Sequence, residues 1–348
     1  MRTRLFRTAL DTLHLFRLDR LGASLAQGAG VIFTLHCVRP AAPAGFHPNG
    51  LLEVTPEFLR TAIRATRASG CTIVTMDEAV ARLQSGRSDE RFAVFTLDDG
   101  YRDNLVHALP VFEEEDCPFL IYVPSDFPTG AGELWWLALE RIIAGHRSVR
   151  FDLGAGEESF ACANDAEKEQ AFNTIYAHLR AIDEDAQRAA IHRMAEQHGF
   201  DLAALCAEEI MDVAELKTIA AHPLCTIGAH TVTHRAIAKL SPEAALVEMR
   251  TGADWLAETL GGRPKHFSFP YGDPGSAAAR DFPLAREAGF VSAVTTRKGM
   301  LFPEHRDHLH ALPRVSLNGH YQDQRYLDLF LSGVPFLIAA KGRKLQVA

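Results

Sequence analysis

The sequence predicts an α/β fold in which a mostly parallel sheet of seven or eight strands closes as a barrel and carries a helical insertion. Three observations support this. Short apolar runs alternate with segments of helical period along most of the chain. Two of those runs open into residues that carry chemistry, Thr96-Leu97-Asp98-Asp99-Gly100 and His230-Thr231-Val232-Thr233-His234, as barrel strands do at their carboxyl ends. The alternation stops between residues 133 and 222, where strand signals vanish and helical runs take over.

Residues 1–30 read as an N-terminal helical extension. Its first 21 residues are basic and amphipathic, but Asp11, His14, Arg17 and Asp19 interrupt them, so the apolar centre and cleavage site of a signal peptide are missing. Strands are expected at 31–36, 71–76, 92–97, 118–123, 225–228, 266–270, 291–295 and 312–317. A helix at 56–69 starts from Thr55 as N-cap. Another at 241–260 starts from Ser241-Pro242-Glu243, a cap followed by a proline at the first helical position. A third, at 281–288, is closed by Gly289. The insertion carries helical runs at 166–182, 184–198 and 211–221. An insertion in a βα loop crowds the C-terminal mouth of a barrel, so this one is expected to shape substrate access. The barrel thus spans 31–320, and residues 321–348 form a C-terminal helical tail, apolar over 326–340 before Lys341-Gly342-Arg343-Lys344.

Composition excludes several classes. With 348 residues, 47% hydrophobic and 23% charged, the chain is folded rather than disordered. Six cysteines lie far apart with no CxxC pair, which speaks against a disulfide framework or a thiolate zinc site and for a reducing, cytoplasmic setting. No apolar run reaches the ~18 residues of a membrane span. The net charge of −8 is concentrated between residues 157 and 215, where fourteen acidic residues face four basic ones. With no basic stripe, a nucleic-acid partner is not expected. Both termini can rest on an anionic membrane surface, at the inner face, where a substrate can be lipid-linked. Packing against the barrel is the simpler role for them.

The chemistry lies in the two runs. Two imidazoles four residues apart fall on one face of a helical turn. With one of the two carboxylates they can hold a divalent metal ion, leaving the other carboxylate free and coordination positions open for water and a substrate oxygen. An Asp-Asp-Gly alone is usually a turn, and an HxxxH alone is usually a surface or core pair. Their common position at strand ends changes that reading. A third run, Phe269-Pro270-Tyr271-Gly272, ends another strand in a rigid turn able to present a backbone N–H to a developing oxyanion.

On these three runs, in this order, the chain resembles the polysaccharide deacetylases of carbohydrate esterase family 4, which include the nodulation-factor chitooligosaccharide deacetylases. The likeness spans roughly residues 31–317, with 133–222 inserted. It implies a distorted (β/α)7 barrel and a single divalent metal ion, commonly Zn2+, used to remove N- or O-linked acyl groups from sugars. Carried onto this chain, Asp99, His230 and His234 match the metal ligands. Asp98 matches the general base that deprotonates the attacking water, and Tyr271 matches the backbone oxyanion donor. The split is physically sensible, because a carboxylate on a metal loses basicity while its neighbour keeps it.

Many relatives orient the base with an arginine where this chain has Ser268, so the orienting group here is unassigned. They also carry a C-terminal histidine as general acid, for which His310 is the candidate, two residues before a predicted strand. Its competitor, His36, ends the first strand and resembles the strand-end Tyr-His pair of deacetylases of extracellular polysaccharide export; position favours His36. Candidates for contacting the sugar are Trp135, Trp136, Pro270 and Arg314, although paired tryptophans also serve to pack helices.

The expected activity is metal-dependent deacetylation of an amino-sugar-containing polysaccharide, oligosaccharide or glycolipid precursor. The alternatives are hydrolysis of a non-sugar amide on the same barrel and a non-catalytic glycan-binding barrel. Retention of Asp98, Asp99, His230 and His234 together argues against the last.

Overall fold

The computed structural model describes residues 2–86 and 90–347. Seven parallel strands form the barrel: β1 (Gly30–Leu35), β2 (Phe92–Asp98), β3 (Phe119–Val123), β4 (Cys225–Ala229), β5 (His266–Ser268), β6 (Ser292–Lys298) and β7 (Leu312–Ser316). The ring closes because β1 pairs on one edge with β7, at Phe33↔Val315, and on the other with β2, from Gly30↔Phe92 to Leu35↔Leu97. Every residue of β1, β2 and β3 is buried, the pattern of parallel strands covered on both faces. This is the (β/α)7 barrel that the family resemblance implies.

The flanking helices begin where their caps place them. Thr55 accepts a hydrogen bond from the Phe58 N–H at 3.1 Å and opens the helix Pro56–Ala68. Ser241 does the same for Pro242–Leu260, which ends at Gly261 with φ 80°. The strand expected at 71–76 shrinks to Thr72–Ile73, paired with the start of β2. The strand stops there and a helix follows at Met76–Ser85, because Thr75 caps it by accepting from the Glu78 N–H.

The insertion contains the helices Trp135–Gly145, Asp165–Ala181, Glu184–Gln197, Leu202–Glu209 and Val213–Ala220. The expectation that it lacks strands is wrong. Ser148–Asp152 pairs antiparallel with Glu157–Ala161, and Val149 and Phe151 turn inward between exposed neighbours. Its apolar core, with Leu139, Ile143, Phe172, Ile175 and Ile191, runs without a break into Cys37, Tyr101 and Phe127 at the barrel mouth.

The terminal helices pack on each other. Arg2–Leu15 and Leu18–Ala26 lie against Gln324–Ser332 and Val334–Ala339. Leu10 is buried there, and the Tyr326 hydroxyl donates to Asp11 at 2.9 Å. Among the described residues no helix is long and apolar enough to cross a membrane. All six cysteines are unpaired.

Candidate active site

Strand β2 ends at Asp98, and the chain then leaves it through Asp99 and Gly100, both left-handed at φ 74° and 72°. This kink sends the two carboxylates to different partners. Asp98 meets Arg314, whose Nη1 and Nη2 donate to its two oxygens at 2.8 and 2.6 Å. The guanidinium is itself held by the Thr295 carbonyl, the Thr96 hydroxyl and the Ser268 hydroxyl at 3.0, 3.2 and 3.0 Å. Burial alone would raise the Asp98 pKa; the charge and hydrogen bonds of Arg314 outweigh it and hold the carboxyl below its ordinary value, as an anion. Arg314 is therefore the orienting group that Ser268 leaves unassigned. As a sugar contact it is corrected: its side chain is wholly buried and does not line the cleft.

Asp99 faces the two histidines. One ligand atom from each of Asp99, His230 and His234 lies within 4.8 Å of the others. The Nε2 atoms of His230 and His234 are 3.5 and 3.2 Å from Asp99 Oδ1, a buried oxygen that accepts no well-formed hydrogen bond among the described residues. His230 Nδ1 pairs with the Ser268 carbonyl at 2.6 Å; as donor there, it leaves the Nε2 lone pair aimed at Asp99. Burial lowers the His234 pKa and keeps that ring neutral. Burial raises Asp99, but the adjoining His234 and His230 pull it well below the usual carboxylate range. Two imidazoles and a carboxylate converging on one buried point fit a divalent ion of borderline softness such as zinc.

The histidines do not sit on a helical turn, contrary to their spacing. Residues 230–236 are irregular, with Thr231 at φ 69° and His234 at φ 61°. The cause lies on the helix Pro242–Leu260. Its Glu248 accepts from the Val232 and Thr233 N–H groups at 2.9 and 3.0 Å and from the Thr233 hydroxyl at 2.8 Å. Its Gly252 lets the helix approach so closely that a Cβ there would lie 2.5 Å from the Thr231 carbonyl.

At the third run, the Gly272 N–H reaches back to the Pro270 carbonyl at 2.7 Å across Tyr271, whose φ is 59°, the rare strained form of γ-turn. Thr296 holds the Tyr271 carbonyl through its hydroxyl at 2.6 Å. Among the described residues the Tyr271 N–H donates to no protein group. Among the described residues, four of the seven non-glycine residues with positive φ, Asp99, Thr231, His234 and Tyr271, belong to this one site. Each costs on the order of 1 kcal/mol or more, and such strain gathers where surrounding structure overdetermines a functional geometry.

Above these groups opens a cleft of about 540 Å3. It is lined by His36, Asp98, Asp99, His230, His234 and Tyr271, by Trp136, and by Phe172 and Tyr176 from the insertion. Trp136 lies 5.1 Å from the His234 ring and donates its indole N–H to the Tyr101 hydroxyl at 3.1 Å. Trp135 and Pro270 are buried and do not line the cleft; Trp135 donates instead to the Tyr271 hydroxyl at 2.8 Å. His310 is also misplaced as an acid. It precedes β7, pairs with the Phe290 carbonyl at 2.8 Å and lines a separate hollow with Phe282 and Arg286. His320, just past β7, does line the cleft, and the strand-end rule applied to Asn318-Gly319-His320 would have found it.

Among known proteins, the family model described as polysaccharide deacetylase matches residues 152–291, a stretch that includes His230, His234 and Tyr271. No curated protein matches the chain in sequence. Several solved structures share its fold. The Streptococcus pyogenes deacetylase PplD has a TM-score of 0.53 at 14% identity over 83% of this chain and 92% of its own. IcaB from Ammonifex degensii has 0.53 at 18% over 88% and 97%. The de-N-acetylase from Aggregatibacter actinomycetemcomitans has 0.52 at 10% over 86% and 99%. The family match covers the histidine pair and the Tyr271 turn, and the barrel presents both beside Asp98 and Asp99, so over residues 152–291 the chain is similar to the polysaccharide deacetylases, whose fold it shares.

Proposed function

We propose that the protein is a metal-dependent deacetylase that hydrolyses an acetyl group, N- or O-linked, on an amino-sugar-containing polysaccharide, oligosaccharide or glycolipid precursor. The observation that carries this reading is the division of labour between adjacent carboxylates: Asp98 is locked on Arg314 while Asp99 joins two imidazoles at one point.

A divalent ion held by Asp99, His230 and His234, most simply Zn2+, would supply Lewis acidity toward the acyl carbonyl and toward water. Asp98, kept anionic and fixed in direction, takes the proton of the water that adds to the acyl carbon. The Tyr271 N–H, free of protein partners among the described residues, donates to the oxygen that becomes negative as the carbon turns tetrahedral. His36, at the cleft end of β1, then gives a proton to the leaving nitrogen as its bond to carbon breaks, yielding acetate and a free amine. Trp136, Phe172 and Tyr176 offer aromatic faces to sugar rings, and among the described residues no lysine or arginine lines the cleft, which suits an uncharged acetamido sugar.

Exposed Leu15, Phe16 and Leu25, on the first two helices and the turn between them, support peripheral contact with an anionic membrane face. The unpaired cysteines support the cytoplasmic side. Incubation of zinc-loaded protein with a panel of acetylated glycans, read by acetate release and by loss of an acetyl mass, tests the activity. Acetate from sugars supports it; turnover of non-sugar amides alone replaces the substrate, and no turnover of either, with metal bound, makes the barrel a binder.

A further inference from the structure

The inserted lobe grips Tyr271 from two sides. At the end of the helix Asp165–Ala181, the Arg180 guanidinium lies 3.8 Å over the centre of the Tyr271 ring. Its Nη2 donates to Asp273 Oδ2 at 2.8 Å and to the Ser276 hydroxyl at 2.9 Å, two groups just downstream of the same turn. Lys239 secures that helix end by donating to the Arg180 and Ile182 carbonyls at 2.8 and 2.7 Å. On the other side, Trp135 opens the first helix of the insertion and donates its indole N–H to the Tyr271 hydroxyl. Neither Arg180 nor Trp135 lines the cleft.

What they hold is a residue in a costly conformation. A tyrosine at φ 59° persists only where its surroundings leave it no easier choice. The barrel fixes the carbonyl side of the turn through Thr296 and through Gly272, where a Cβ would lie 2.5 Å from the Thr296 nitrogen. The ring, by contrast, takes its guanidinium and its indole partner from the insertion. Once the ring is released, the turn can relax toward negative φ, and relaxation rotates the Tyr271 N–H.

We infer that Arg180 and Trp135 are positioning residues that keep the Tyr271 turn in its strained form, so that its N–H stays aimed where the oxyanion develops. The catalytic part of this inference rests on the role given to Tyr271 under Proposed function. An oxyanion donor works by being in place before charge appears, so a rotated N–H lowers turnover without weakening substrate binding. The insertion thereby belongs to the chemistry as well as to access.

Two conservative variants test it. Trp135→Phe removes the indole donor while keeping an aromatic, though smaller, ring, and Arg180→Lys keeps the charge but loses the flat face that stacks on the ring. In metal-free protein, amide exchange over residues 269–273 should quicken by about tenfold or more in each variant, while β1 and β2 exchange as in wild type. In zinc-loaded protein, kcat should fall by about tenfold or more with KM and bound zinc held within about twofold. Unchanged exchange in both variants overturns the inference. Faster exchange with unchanged kcat overturns its catalytic part, as does a loss of activity traced to KM or to zinc. If wild-type protein hydrolyses no substrate, the proposed function fails separately, and exchange alone still decides whether the clamp holds the turn.

Discussion

Arg314 and Asp98, which lie 216 residues apart, meet inside the barrel as a two-pronged pair with both contacts under 3 Å. Because the same guanidinium also donates to the Ser268 hydroxyl, it occupies the space that a long side chain at position 268 would fill. The last strand thus supplies what the fifth strand lacks.

Removing one member of so buried a pair leaves an uncompensated charge. Arg314→Ala should cost about 3–5 kcal/mol of stability and nearly all turnover, and Arg314→Lys, which cannot fork, should cost turnover by about tenfold or more. The double variant Ser268→Arg with Arg314→Ala should recover part of both losses, because the guanidinium is then delivered from β5 instead of β7. Denaturant unfolding and acetate release measure this; a double variant no better than Arg314→Ala refutes the exchange of roles.

Metal content separates the two carboxylates. Asp98→Asn should retain about one zinc per chain while losing about a hundredfold in turnover, since general-base contributions are of that order. His230→Ala with His234→Ala should lose the ion on dialysis. Atomic-absorption analysis decides, and a zinc-free Asp98→Asn protein would reverse the assignment of Asp98 and Asp99.

The general acid is read from three single variants. His36→Ala should lower kcat strongly and flatten the alkaline limb of the pH–rate profile at unchanged metal content. His310→Ala, remote from the cleft, should leave the profile intact. A strong effect of His320→Ala together with a silent His36→Ala would transfer the role to the loop after β7.

Acid should weaken the fold through histidines far from the site. Burial pulls His266 and His305 down to about 4. Unfolded, each titrates near pH ~6.5, so between about pH 4 and 6.5 the unfolded chain holds protons that the folded chain does not. Stability is therefore full above that window and falls as pH drops through it, by at most about 3 kcal/mol for each histidine. Urea unfolding of wild type and His305→Gln at about pH 7 and pH 5 measures the difference, and a variant as acid-sensitive as wild type removes His305 from the account.

Leu15 at 76% and Phe16 at 64% exposure are open apolar groups near the N-terminus. Wild type should sediment with vesicles rich in anionic lipid and not with neutral ones, and Leu15→Ser with Phe16→Ser should stay in the supernatant. Equal behaviour of the two proteins counts against membrane contact.

Much of this was legible in order along the chain. β1, β2 and β3 are buried on both faces, so each reads as an unbroken apolar run. Asp98, Asp99, His230, His234 and Tyr271 sit within short contiguous runs at strand ends. What escaped depends on meetings between distant residues. A spacing of four suits a helix and a loop equally, and only Glu248, on another element, decides for the loop. Arg314 looks like any polar residue in a strand until the ring brings it to Asp98. The hairpin at Ser148–Asp152 escaped because it turns only two residues inward and its partner Glu157–Ala161 turns none fully, too few apolar positions to mark a strand. His310 failed for a simpler reason: it stands at the wrong end of its strand.

The unbroken core between insertion and barrel mouth has a consequence for how substrate comes and goes. Swinging the lobe outward would strip Cys37, Tyr101 and Phe127 of the apolar side chains that cover them, so it cannot work as a hinged cover. Under the proposed function, a glycan enters a cleft that is already open. The same continuity forbids trimming: a barrel cut down to its seven strands and their helices would expose a greasy rim where the lobe had been, and would aggregate before it could be assayed as a minimal enzyme.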